Sequence, residues 1–239
     1  LKQPDLPEII PAYLMQELRL MARGPALRAI HLPSNQAELD GARRRLKFEE
    51  LFLLQMRLLQ LKVVREEQVA GYSFGSIGNI FNEFFQTKLP FELTGAQKRV
   101  LKEIRADLGR GIQMNRLLQG DVGSGKTMVG LMSMLMALDN GFQACMMAPT
   151  EILAYQHYES ITEYLEGMDI TVAFLSGSIK GKARKAILEK LIEGEIDILL
   201  GTHALIEPWV EFKNLGLAII DEQHRFGVKQ RSKLWVKNK

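Results

Sequence analysis

The chain has 239 residues, 46% hydrophobic and 25% charged, the usage of an ordinary globular protein, and its length allows one large domain or one domain with an appendage. A formal net charge of +3 neither demands nor opposes a polyanionic partner, while the lone Cys145 excludes an internal disulfide and suits a reducing compartment. No apolar run approaches membrane-spanning length and the first residues lack the charged-then-apolar layout of a secretion signal, so a cytoplasmic setting with no membrane partner is expected.

Residues 1–33 carry Pro4, Pro7, Pro11, Pro25 and Pro33, which interrupt any long element and leave room for a short helix between Ala12 and Met21. Asn35 with Glu38 three positions on has the spacing of a capping box and predicts a short helix. A long helix is expected from Gly41 to about Gln68. Leu51, Leu54, Leu58 and Leu61 fall on one stripe, and Phe52, Leu53, Met56 and Leu59 widen it beyond a simple amphipathic face, as in a helix clamped between parts of a larger protein. Its basic start, Arg43-Arg44-Arg45 with Lys47, reads as a solvated helix end, with DNA contact as the other reading. Gly71, Gly75 and Gly78 make the stretch to Thr87 an irregular linker. The expected division therefore falls near residue 88, with a helical connector over 1–87 and a nucleotide-binding domain over 88–239.

From Leu89 onward short apolar runs alternate with helical stretches. Phe91 to Gln97 precedes a helix over Lys98–Leu108, and the Gln97 amide, both donor and acceptor, matches the edge of adenine. Helix-surface glutamines are common, which is the competing reading. Arg116 to Gln119 is expected as a short strand, and Gly120-Asp121-Val122-Gly123-Ser124-Gly125-Lys126-Thr127 then fits the phosphate-binding pattern G-x-x-x-x-G-K-[ST] without mismatch. Glycines let the backbone turn tightly with its N–H groups inward, toward phosphate oxygens. The following helix adds its positive end. Lys126 reaches the β- and γ-phosphates of such a ligand, and the Thr127 hydroxyl binds Mg²⁺.

Met128–Leu138 is an apolar helix ending near Gly141. Strands are predicted at Gln143–Ala148, Val172–Leu175, Ile196–Leu200 and Leu217–Ile220, with helices at Ile152–Leu165 and Lys182–Ile192, the latter stopped by Gly194. Cys145 lies in the first of these strands and reads as core, not nucleophile. Alternation of this kind implies an α/β fold, a mostly parallel sheet covered on both faces, with functional loops at the carboxyl ends of its strands. Every candidate motif sits at such a point: the glycine loop, Ala148-Pro149-Thr150-Glu151, Leu175-Ser176-Gly177-Ser178, Gly201-Thr202-His203 and Asp221-Glu222.

In the last of these, an apolar strand delivers Asp221, which would hold Mg²⁺ beside Thr127, and Glu222, which would orient and polarise the attacking water. Asp-Glu after a strand can also simply begin a loop; the glycine loop upstream decides for the catalytic reading. His224 could sense the γ-phosphate, or be a locally satisfied histidine. Zinc is not expected, because four histidines and one cysteine do not cluster. Lys180, Lys182, Arg184 and Lys185 form a basic run suited to steering DNA or to a solvated helix face.

Taken in order, Gly120 to Thr127, Ala148 to Ala154, Gly201 to Ile206 and Asp221-Glu222-Gln223-His224-Arg225-Phe226-Gly227-Val228 resemble the motifs of superfamily 2 helicases, and within them the bacterial RecG family of ATP-dependent DNA helicases. Ala42 to Leu51 looks like the helix that joins that family's DNA-wedge domain to its motor. The resemblance implies a RecA-like P-loop domain behind a helical connector, ATP and Mg²⁺ as cofactors, and branched DNA, such as stalled forks and recombination junctions, as substrate. It assigns Gln97 to the adenine-reading motif and places Thr150, Gly177, Thr202 and His203 in segments that contact DNA in related motors. Transcription-repair coupling factors are the competing family; they usually read Asp-Glu-Glu-His and Pro-Thr-Thr where this chain has Asp221-Glu222-Gln223-His224 and Pro149-Thr150-Glu151. The family's wedge domain and second RecA-like domain are the expected companions of this stretch, which read alone is expected to bind ATP, hydrolyse it poorly and not unwind DNA. A small-molecule phosphotransferase would need a substrate lid and a guanine switch an Asn-Lys-x-Asp segment; a non-enzymatic DNA-binding module would not need the loop and the acidic pair together.

Overall fold

The computed structural model describes residues 6–68, 70–227 and 230; Pro4 and Val228 lie outside the described residues. Two compact units divide between Val69 and Ala70 rather than near residue 88, and each has its own hydrophobic core.

In the first unit, α1 (Ala12–Glu17) begins directly after Pro11, and a second short helix not expected from sequence, α2 (Arg23–Ala29), follows it. Pro25 sits in the first turn of α2, where a backbone N–H has no intrahelical partner and a proline therefore costs little. A single 33-residue helix, α3 (Gln36–Gln68), replaces the expected pair with a break at Gly41. Asn35 Oδ1 accepts the Glu38 N–H at 2.9 Å, and the Glu38 carboxylate accepts the Ser34 N–H at 2.6 Å, so the capping signal opens the whole helix. Gly41 stays inside it as a tolerated interior glycine, with the Met21 side chain 3.2 Å from where a Cβ would lie. Ala42 is buried with Ala26 and Ala29, so small residues set the approach of α2 to α3.

The basic start of α3 is divided: Arg43, Arg44 and Lys47 are exposed, as expected of a solvated helix end, and Arg45 is not. Arg45 is fully buried, and its guanidinium donates to the carboxylates of Glu8 and Glu49. Arg23 pairs with Glu49 at 3.2 Å, Arg44 donates to the Leu18 carbonyl, and Arg43 lies beside Asp40. Burial pushes the Glu8 carboxyl up, but the N–H groups of Ile10, Arg23 and Ile9 and the Arg45 charge outweigh it and hold it below its ordinary value. Leu51, Leu54, Leu58 and Leu61 are exposed in this unit.

The second unit begins with Ala70 bridged to Ile112. Its early segment is not an irregular linker throughout: α4 (Asn79–Glu83) runs into a π-helical turn at Phe84–Lys88, whose Phe84 is fully buried. The Asp139 carboxylate accepts the Ile80 and Phe81 N–H groups at 3.0 and 3.1 Å. Gly78 permits this approach, because a Cβ there would fall 2.5 Å from Asp139 Oδ1.

Then follow α5 (Gly95–Leu108), α6 (Lys126–Leu138), β1 (Gln143–Met147), α7 (Glu151–Tyr164), β2 (Val172–Leu175), α8 (Gly181–Glu193), β3 (Ile198–Gly201) and β4 (Leu215–Ile220). The strands form one parallel sheet in the order β2-β3-β1-β4, with Met147 aligned to Gly201 on one side and Ile220 on the other. Alternate residues feed opposite faces, as a pleated strand requires. Ala144, Met146, Ile198 and Leu200 join the cluster built on α5 and α6, while Cys145, Met147 and Leu199 join Leu191 and Leu205 on the other face. Both faces are thus covered, and α6 is buried from Met128 to Leu138. This is the α/β architecture expected, with every strand's carboxyl end at one edge.

Residues 116–119 are not a strand. Arg116 instead forks onto α5, donating to Asp107 at 2.6 and 2.9 Å and to Glu103 at 2.6 Å, and Leu117 is exposed. Among the described residues, no helix is long and apolar enough to cross a membrane.

Candidate nucleotide-binding site

The glycine loop turns through Gly123 and Gly125, whose φ values of +77° and +78° lie in the left-handed region that glycine adopts without strain. Gly125 is the N-cap of α6 and supplies no side-chain cap, so the first N–H groups of that helix are left to a ligand or solvent. Lys126 folds back over the loop, its ammonium donating to the carbonyl oxygens of Gly120 and Asp121 at 2.8 and 2.7 Å.

Gln97 ties the loop to α5. Its Oε1 accepts the Thr94 N–H at 2.8 Å and its own N–H donates to Thr94 Oγ1 at 3.2 Å, a complete capping box. Its Nε2 donates to the Ser124 carbonyl at 3.0 Å. The adenine-reading amide expected from sequence thus has both ends on protein groups in this structure, and a Cβ on Gly125 would fall 2.3 Å from Nε2. Phe85, Leu89, Pro90, Phe91, Glu92, Leu93 and Lys98 line a pocket directly upstream, which the sequence pattern did not indicate.

At the end of β4, the Asp221 N–H donates to the Met147 carbonyl at 2.8 Å, which continues the strand pairing to the sheet edge. One carboxylate oxygen, Oδ1, accepts the Glu222 N–H at 2.9 Å; the other, Oδ2, is 2.8 Å from His157 Nε2. The His157 hydrogen bond above all, with the Glu222 N–H and the Lys126 charge, holds the Asp221 carboxyl below its ordinary value against the opposing effect of burial. Gly130, four residues after Lys126, lies against the side chain of Ile219, two residues before Asp221, so the helix that follows the glycine loop packs on the strand that ends in the acidic pair. Glu222 itself sits at φ +48°, the left-handed region, and its carboxylate is 3.4 Å from the exposed His224. Thr127 and Asp221 offer hard oxygen donors, the chemistry Mg²⁺ takes. Among the described residues, no three His, Cys, Asp or Glu side chains group as a metal site of their own. A metal here would take its other ligands from phosphates and water.

The DEAD/DEAH box helicase family profile matches residues 94–237, which contain Gln97, the glycine loop, His157 and the Asp221-Glu222 pair. The chain belongs to the DEAD/DEAH box helicase family. Among members of this family it is similar to the ATP-dependent DNA helicase RecG of Bacillus subtilis strain 168, with 48% identity covering 96% of this chain and 34% of that one. RecG of Thermotoga maritima is 45% identical over 98% of this chain and 30% of its own length. A solved structure of RecG bound to a three-way DNA junction superimposes with a TM-score of 0.79 at 43% identity, covering 93% of this chain and 30% of that one. The chain spans about a third of the length of the relatives it matches.

The helicase-family segments expected to face DNA have mixed surroundings. Thr150 is exposed, but its hydroxyl accepts the Leu153 N–H at 3.3 Å and caps α7. Glu151 accepts bonds from the hydroxyls of Ser176 and Ser178, so the loops after β1 and β2 are joined, with exposed Gly177 between the two serines. Thr202 is only 4% exposed beneath the 3₁₀ turn His203–Ile206, so its hydroxyl is not presented to a ligand; the exposed group at that edge is His203. In the basic run, Arg184 stacks on Trp209 with its guanidinium 5.0 Å from the ring centroid and donates to the Ile179 carbonyl, while Lys180, Lys182 and Lys185 stay exposed.

His157 is the site residue that sequence reasoning missed. Ala154 and Ile161 are buried on the inner stripe of α7, and His157 falls on that stripe, three residues from one and four from the other. The stripe marks it as inward-facing, but its partner lies 64 residues away in sequence.

Proposed function

We propose that the second unit is the first RecA-like, ATP-binding domain of an ATP-dependent DNA helicase that acts on branched DNA, and that the first unit is the helical connector to a DNA-wedge domain. The observation that carries the catalytic reading is the packing of α6 on β4, with Gly130 against the Ile219 side chain, which sets the phosphate loop that opens the helix and the Asp221-Glu222 pair that ends the strand on one helix–strand unit. Substrate choice rests on similarity to RecG proteins, one of them solved on a three-way junction; Glu151 and Gln223 favour that family over the coupling factors. A cytoplasmic location follows from this reading.

In the proposed reaction the loop N–H groups of 120–127 and the start of α6 hold the phosphates of ATP. Lys126 leaves the Gly120 and Asp121 carbonyls for the β- and γ-phosphates. Thr127 and Asp221 would hold Mg²⁺, which when bound neutralises charge on those phosphates. Glu222 orients the attacking water and takes its proton. Gln97 meets adenine with the second hydrogen of its amide nitrogen and the second lone pair of its oxygen, neither of which its present bonds use. Exposed Thr150, Gly177 and His203 contact the DNA backbone, and His224 reports the γ-phosphate. On this reading the opposite wall of the ATP site comes from a second RecA-like domain, and a first domain tested without it should bind ATP, turn it over slowly and not unwind DNA.

The test is ATP hydrolysis by the full-length protein, titrated with branched, linear duplex and single-stranded DNA. Branched DNA should stimulate turnover most, and Lys126→Ala should lower it by about 10²–10³-fold, the usual cost of one preorganised charge-stabilising group. Equal stimulation by branched and linear DNA would refute the substrate assignment. Robust DNA-stimulated turnover by the isolated chain would refute the need for a second domain.

A further inference from the structure

We propose that His157 is a positioning residue for ATP hydrolysis, fixing the Asp221 carboxylate in the orientation that binds the metal–nucleotide complex. The inference rests on the reading of Asp221 as a metal ligand. A carboxylate accepts and cannot donate, so His157 Nε2 carries the proton of the 2.8 Å bond to Oδ2.

Three bonds fix Asp221, and each restrains a different part of it. The backbone N–H is held by Met147 across the sheet, Oδ1 is held by the adjacent Glu222 N–H, and Oδ2 is held by His157 from another element. The Glu222 contact is local and comes from a residue in a strained left-handed conformation. His157 is the anchor with a rigid base: its helix packs on β2 and β3, and its side chain is 16% exposed. Each carboxylate oxygen has two lone pairs, and each spends one on these bonds. One lone pair on each oxygen stays open toward a metal or its water. The arrangement therefore orients the ligand without consuming it, which is the role that outer partners of metal ligands perform.

The experiment uses the full-length protein with a non-hydrolysable ATP analogue and Mn²⁺ in place of Mg²⁺, reading free Mn²⁺ by electron paramagnetic resonance. Binding of the analogue without metal is measured in parallel. His157→Ala should weaken Mn²⁺ retention about 10–100-fold, the range for losing such a partner, with metal-free analogue binding unchanged. His157→Gln, which places an N–H near the position of Nε2, should restore most of the loss. Mn²⁺ retention by His157→Ala equal to the native protein overturns the proposal. So does a His157→Gln variant no better than alanine, because packing and not the donor would then be the role. If the native complex itself retains no Mn²⁺, the reading of Asp221 as a metal ligand fails first.

Discussion

Gln97 donates its side-chain amide to the Ser124 carbonyl at 3.0 Å, so the cap of α5 and the phosphate loop are held by the same side chain. Its oxygen does one job, accepting the Thr94 N–H, and its nitrogen does another. The two jobs separate by substitution. Gln97→Glu keeps the acceptor for the cap but turns an oxygen toward the Ser124 carbonyl, so stability should stay near native while affinity for a fluorescent ATP analogue falls. Gln97→Ala loses both, and urea denaturation should show a further loss of about 1–2 kcal/mol, the combined scale of a helix cap and a net hydrogen bond. Native affinity in the glutamate variant would show that the tether does not shape the loop.

Arg45 should be the most costly charge to remove from the first unit. It is completely buried between Glu8 and Glu49, and truncating it takes a charged partner from two carboxylates at once, leaving Glu49 to Arg23 and Glu8 to backbone N–H groups. Arg45→Met should lose about 3–5 kcal/mol on chemical denaturation. Neutralising the partners as well, with Glu8→Gln and Glu49→Gln, should recover much of that loss. Arg43→Ala, two positions away and exposed, should change stability by less than about 0.5 kcal/mol. Equal losses at the two arginines would contradict the buried cluster.

Most of the second unit was legible because its local and global signals agree. Val172–Leu175 was bounded as observed, and β1, β3, β4, α7 and α8 were bounded to within two residues, since buried parallel strands read as short apolar runs between helix-period stretches. The misses turn on side-chain partners and burial that the apolar pattern does not encode, and the His157–Asp221 pair spans 64 residues. Gly41 reads as a break, yet α3 runs through it from the cap at Asn35, beside Ala42 packed on the alanines of α2. Arg116 reads as strand until Asp107 and Glu103 claim it. Thr202 falls in a segment that the resemblance assigns to DNA contact, and the pattern does not show that its side chain is buried. Nothing in the motif around Asp221 names His157.

Asp197 should make stability fall with rising pH, against the usual direction for a carboxylate. Burial, with the Asp169 charge beside it, raises its carboxyl above the ordinary value of 3.8, although the Thr171 N–H opposes the shift. The folded chain therefore binds this proton more tightly than the unfolded chain. The stabilisation is present at and below pH 3.8 and is lost as pH rises through the folded value. Asp197→Asn keeps an oxygen for the Thr171 N–H and carries no charge. It should be more stable than the native protein at pH 7, and the advantage should shrink as the pH is lowered toward 3.8. An advantage that grows on acidification would show the shift has the opposite sign.

Glu222 combines a strained backbone with the proposed water-activating carboxylate. A non-glycine residue at φ +48° costs about 1–2 kcal/mol relative to a relaxed conformation. Asparagine tolerates this region better than most residues, because its short amide bonds locally, and it cannot act as a base. Glu222→Asn should therefore unfold no more readily than the native protein. Glu222→Ala keeps the strain and should be the less stable of the two variants. Both should bind an ATP analogue normally, and both should lose about 10²–10⁴-fold in turnover, the scale of a general base. The two effects then separate: turnover follows the carboxylate, lost alike in both variants, while stability follows the backbone, differing between them. Were asparagine the less stable variant, the left-handed conformation would carry no cost at this site, and the carboxylate's placement would owe nothing to stored strain.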